Sequence, residues 1–85
     1  EYNFVDTYAW ILHLVGRHEE AKKYMTQALS LSRQQEPTLL IHYADILWTL
    51  GEKFMAETYW KKALSLGYDA DELEAHIAEV KSKTE

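Results

Sequence analysis

Four histidines, three tryptophans and fourteen acidic side chains are the residues of this 85-residue chain best equipped for chemistry. The histidines are His13, His18, His42 and His76. They form neither H-x-x-x-H nor H-E-x-x-H, the patterns by which one helix offers two imidazoles to a metal. Only His13, His42 and Asp45, drawn from neighbouring helices, could converge on a cation. The chain has no cysteine, which removes disulfides, thiolate zinc sites and a thiol nucleophile. Its three glycines are isolated, so no loop cradles a phosphate. Glu19 and Glu20 fall in the first turn of a predicted helix, where the helix dipole favours acids. No catalytic group, resident metal or cofactor emerges, and the chain reads as a non-enzyme. The indoles remain, and their natural chemistry is recognition, because a Trp buries a large area at low entropic cost.

The net charge of −5 and the absence of a basic stripe argue against nucleic acid as a partner. Lys22-Lys23 and Lys61-Lys62 are short pairs with acids nearby, as on a solvated helix face. No apolar run approaches the ~20 residues that span a bilayer. The sequence lacks an initiator Met and starts in mid-pattern, which suggests an excised piece of a longer protein.

The elements that must position these residues come from a repeat. Comparing 2–33 with 37–68 gives 11 identities in 32 positions, among them Tyr8/Tyr43, Ala9/Ala44, Gly16/Gly51, Ala21/Ala56, Tyr24/Tyr59, Ala28/Ala63 and Leu29/Leu64. A fixed period of this size indicates stacked units. Each unit reads as two helices. Val5, Tyr8, Ala9 and Leu12 form the core stripe of the first, with Asn3 and Asp6 as its start signal. Gly16 ends it. Ala21, Tyr24, Met25, Ala28 and Leu29 line the second. In the other unit Pro37 opens a helix with the stripe Leu40, Tyr43, Ala44 and Leu47. Gly51 ends that helix, and Ala56, Tyr59, Trp60, Ala63 and Leu64 follow. No segment shows period-2 alternation, so the fold class is all-α. The alanines let paired helices approach closely.

These residues resemble the tetratricopeptide repeat: a small residue midway along the first helix, Gly at the turn, then Ala, an aromatic and Ala-Leu. Here they are Ala9, Gly16, Ala21, Tyr24, Ala28 and Leu29, then Ala44, Gly51, Ala56, Tyr59, Ala63 and Leu64. The resemblance covers about residues 2–68. The chain departs from the family pattern at Val5 and Leu40, where an aromatic is usual, and in a spacing one residue longer than 34. "DTYAWILHLVGRHEEAKKY" is similar to the last repeats of bacterial members, which would place the parent in a bacterial cytoplasm or periplasm. The resemblance implies a right-handed α-α superhelix with unit 1 at 2–35 and unit 2 at 36–68, followed by a capping helix at 69–85. It also implies a protein or peptide partner held in a concave groove lined by the first helix of each unit. Helical periodicity puts Asp6, Trp10 and His13 on one such face, and Ile41, Asp45 and Trp48 on the other, with His42 alongside. The carboxylate clamp of Lys, Arg and Asn known in one branch of the family is absent, since Asp6, Trp10 and His42 occupy its places. The alternative is a structural spacer or self-association element whose groove stays empty.

In the tail, Leu73, Ile77 and Val80 form one narrow apolar stripe behind the capping candidates Asp69 and Asp71. This predicts a capping helix that covers the second unit, including the otherwise anomalous Phe54 and Met55. Tyr2, Phe4 and Val5 are expected to face a preceding repeat. Two units and a cap make a marginal array, able to form a homo-oligomer.

Overall fold

Three glycines hold backbone conformations that other residues resist, and two of them set the joints of the helical pairs. In the computed structural model, which describes residues 1–84, Gly16 and Gly51 have φ of +89° and +87°. Each closes a helix in the same way. Arg17 N–H donates to Leu12 O at 2.8 Å and Gly16 N–H to His13 O at 3.1 Å; Glu52 N–H donates to Leu47 O at 2.9 Å and Gly51 N–H to Trp48 O at 3.0 Å. These crossed bonds satisfy carbonyls that the helix leaves open, and they need a left-handed residue at the crossing. The helices so bounded are α1 (Tyr2–Leu14), α2 (His18–Leu31), α3 (Pro37–Thr49), α4 (Lys53–Ser65) and α5 (Ala70–Thr84). The chain is all-helical, and no strand occurs among the described residues.

Pro37 occupies the first turn of α3, as expected. The predicted start of α1 is displaced. Asn3 already lies inside the helix, and the Glu1 side chain stands before it as the cap, accepting from Asn3 N–H at 3.5 Å. Asp69 caps α5, its carboxylate accepting from Glu72 N–H at 2.8 Å.

The helices pack as antiparallel neighbours, α1 with α2 and α3 with α4, and α2 lies along α3 to join the pairs. Ala9, Ala21, Ala28, Ala44, Ala56 and Ala63 are all fully buried, so the close-approach role of the small residues is realised. Edge-to-face tyrosine pairs recur in both units, Tyr8 with Tyr24 at 5.0 Å and Tyr43 with Tyr59 at 4.8 Å. Leu40, Ile46, Leu47, Met25, Trp60 and Leu73 complete the core.

Three expectations about the core need correction. Tyr8 sits at the edge of the stripe, half exposed, because nothing among the described residues packs on its outer side. Leu64 is 40% exposed, whereas its counterpart Leu29 is buried; α3 lies along α2 more fully than α5 lies along α4. Phe54 and Met55 are 81% and 41% exposed. They stand on the first turn of α4, and α5 docks on the other side, against α3 and Trp60. They are an outward-facing pair.

Candidate interaction cleft

Burial of an acid organises the site. Asp45 in the middle of α3 is 2% exposed, and an ionised carboxylate there must be bonded. One oxygen accepts from the indole N–H of Trp60 on α4 at 3.0 Å; the other lies 2.7 Å from His76 Nε2 on α5. Desolvation pushes the Asp45 carboxyl above its usual range, and His76 and Trp60 oppose that shift. Asp45 is therefore a tie between α3, α4 and α5 and not the surface acid the periodicity suggests. Ile41, at 6% exposure, is likewise in the core. Both expectations fail for one reason: α3 is covered on more than one side, so a face that is free on α1 is enclosed on α3.

The other residues expected on this side do come together. Asp6 of α1 accepts from His42 Nδ1 of α3 at 2.9 Å. The His42 ring stacks on Trp10, with centroids 4.1 Å apart and planes 18° from parallel. His13 lies against the other part of Trp10 at 4.9 Å. Its Nδ1 is 2.8 Å from Nδ1 of His18, so one ring donates and the other accepts. Burial, then the neighbouring His18 and His42, hold the His13 imidazolium down to a pKa of about 4. At neutral pH His13 is an uncharged hydrogen-bonding ring.

Trp48 takes a different place from Trp10. Its indole N–H donates to Thr84 Oγ1 at 2.7 Å, and the Lys53 and Lys81 ammonium groups lie 4.8 and 4.7 Å from its ring centroid. It is half-buried beneath α5, while Trp60 beside it is 2% exposed. The convergence of His13, His42 and Asp45 does not occur, since Asp45 is engaged by Trp60 and His76, and His42 by Asp6. Among the described residues no group of three His, Asp or Glu side chains is placed to hold a metal ion.

Between α1, α3 and α5 lies a cavity of about 230 Å³. Trp10, Leu14, Thr49 and Val80 give it apolar walls, and His13, His18, His76, Glu79 and Lys83 form its polar margin. Small-molecule and cofactor sites run from about 300 Å³ upward, so this one suits a side chain or two. Sequence reasoning missed Leu14, His18 and the α5 residues. His76 and Val80 flank the apolar stripe of α5, but the side of the molecule on which α5 docks is a tertiary fact. His18 faces His13 only because the Gly16 turn brings the start of α2 back over the end of α1.

An all-helical stack of paired helices with a small aromatic cleft defines a repeat-type module. Residues 6–35, from within α1 to beyond the end of α2, match the family model of the tetratricopeptide repeat, which supports a repeat of that type in this segment. Such a repeat points to protein–protein interaction in general. Neither curated proteins nor solved structures give a match to the chain.

Proposed function

We propose that the chain is a protein-binding module that holds a segment of its partner in the cleft between α1, α3 and α5. In this reading residues 2–35 and 36–68 are two tetratricopeptide units of a right-handed superhelix, and 69–85, whose last residue lies outside the described ones, is the capping segment that also supplies one wall of the site. The cavity carries the reading. Its size accepts one large apolar side chain of the partner, and its walls are apolar where that side chain would end. The partner's backbone would then run past His13, His18 and His76, which offer ring nitrogens as donors and acceptors. Charge contributes little inside, because Glu79 pairs with Lys83 at 2.9 Å and Asp45 is already bonded. Trp10 supplies the aromatic anchor, and the stack on His42 fixes its ring.

Selection of a random peptide library on the 85-residue chain tests the site. Peptides so obtained should share one large apolar residue. They should lose affinity at least tenfold, about 1.4 kcal/mol, against Trp10→Ala and against Leu14→Glu, whose side chain is 68% exposed and contributes little to the fold. Selected peptides that bind both variants as well as the parent would place recognition elsewhere.

A further inference from the structure

We propose that the cleft selects an aromatic side chain carrying its own hydrogen-bond donor, that of Trp or Tyr, and that His76 makes the selection through a bare Nδ1. The inference rests on the reading of the cleft as the binding site and names what enters it. His76, Glu79, Val80 and Lys83 follow helical spacing, so one face of α5 forms a wall of the cavity. The His76 ring is fixed at one end: its Nε2 lies 2.7 Å from Oδ2 of the buried Asp45, while the side chain as a whole is 38% exposed. A carboxylate can only accept, so the neutral ring must carry its proton on Nε2. Nδ1 is then an acceptor without a proton. Among the described residues no buried side-chain nitrogen or oxygen lacks a partner. Nδ1 bonds none of them, so it is open to whatever fills the cleft.

The other polar groups of the cavity leave the choice to His76. The Thr49 hydroxyl donates to Asp45 O at 3.0 Å, and that of Thr84 accepts from Trp48 and donates to Val80 O at 3.1 Å. Glu79 and Lys83 neutralise each other. His13 and His18 share one proton between their Nδ1 atoms. Whichever ring donates, the neutral pair keeps one donor and one acceptor at its outer nitrogens, so it favours neither polarity. His76 does favour one. A wholly apolar group set against Nδ1 removes its water and returns nothing, while an N–H or O–H replaces the lost bond. Trp10, Leu14 and Val80 meanwhile require an apolar body. Indole and phenol join such a body to a single uncharged donor. A Lys or Arg tip would bring an unpaired charge into the same place. Asp45 is the positioning residue, since it decides which nitrogen of His76 is bare.

Indole, benzothiophene and quinoline serve as probes. They are alike in shape and carry, in that order, a ring N–H, no nitrogen, and a bare ring nitrogen. Each is titrated into the full chain at about pH 8, with the methyl signals of Leu14 and Val80 as the readout. Indole should bind at least ~5-fold more tightly than either of the others. Long-range proton–nitrogen correlations of the His76 ring should show its proton on Nε2. Asp45→Asn keeps an oxygen for the Trp60 N–H and turns its NH2 toward His76 Nε2, which moves the ring proton to Nδ1. The preference should then reverse, quinoline binding more tightly than indole, while far-UV circular dichroism shows the helices retained. A variant that weakens all three alike would mean that Asp45 acts by packing alone and would overturn the selection. A protonated His76 or an Nδ1–H tautomer in the parent overturns it too, whether or not the variant folds. So does equal binding of the three probes by the parent, or butylammonium binding as tightly as indole; in those cases the cleft remains the site and only the selection falls. If no probe moves the Leu14 or Val80 signals, the cleft is closed to aromatic side chains, and the reading of it as the binding site fails as well.

Discussion

Arg33 and Gln34 are the residues that local rules would least expect where they stand. Their φ values are +57° and +55°. Arg33 N–H donates to Ser30 O and Gln34 N–H to Leu29 O at 3.1 and 2.9 Å, the crossed pair that Gly16 and Gly51 form elsewhere. Non-glycine residues carry a penalty of roughly 1 kcal/mol in that region. Arg33→Gly should therefore stabilise the domain by up to about 0.5 kcal/mol after the unfolded-state entropy of glycine is counted. Gly51→Val should cost at least ~1 kcal/mol from backbone strain alone, since a Cβ there meets no other group within 4 Å. Denaturant midpoints measure both. Asp45 offers a sharper pair. Asp45→Ala strands the Trp60 N–H and releases His76, at about 2–3 kcal/mol. Asp45→Asn keeps an acceptor for Trp60 and should cost distinctly less. Acid titration separates two opposed effects. The folded state refuses a proton at His13 until pH about 4, while the unfolded chain takes one near the ordinary value of 6.5. Stability from this residue is therefore lost as pH falls through that window. Asp45 acts in reverse, because its raised pKa lets the folded state take up a proton before the unfolded chain does and so relieves burial on acidification. His13→Gln should flatten the decline between pH 6.5 and 4; an unchanged slope would mean the decline arises elsewhere.

Among the elements, α5 is the one whose placement carries most consequence. Leu73 is 1% exposed, and His76, Lys81 and Thr84 all bond or cover residues of α3 and α4. Leu73→Ala should cost about 2–4 kcal/mol, whereas Phe54→Gln, on the exposed side of α4, should change stability by no more than ~0.5 kcal/mol. Equal effects would mean that α5 shields Phe54 after all. Helix number, joints and pairing were legible because Gly16, Gly51 and the alanines act locally and recur in phase. That the Leu73, Ile77 and Val80 stripe packs on the core was legible too, but not its target. Periodicity assigns a residue to a side of its own helix. It says nothing of how many neighbours that helix has. On α1 the side bearing Trp10 remains half open, and on α3 the corresponding side, bearing Asp45, is enclosed by α4 and α5. The candidate site was thus half visible: Asp6, Trp10, His13 and His42 assemble, while Ile41 and Asp45 are structural. The walls supplied by α5 depend on a docking geometry that no spacing in the chain encodes.

At the scale of the whole molecule, α3 is the hub. Seven of its residues are buried, against two in α1 and one in α5. Native-state hydrogen exchange should accordingly be slowest in α3, intermediate in α2 and α4, and fastest toward the ends of α1 and α5. Uniform protection across the five helices would contradict that order. The packing of α1 to α4 mainly on their sequence neighbours also has a kinetic meaning. A chain whose native pairings close short loops has little entropy to lose before the first of them forms. Refolding should fall in the microsecond-to-millisecond range of helical domains. It also has two near-equal starting points, since the α1–α2 and α3–α4 hairpins are closed by the same glycine turn and the same tyrosine pair. Which hairpin leads can then be switched by a change in either turn, so that the route to the native state is a tunable property of the repeat while its destination stays fixed.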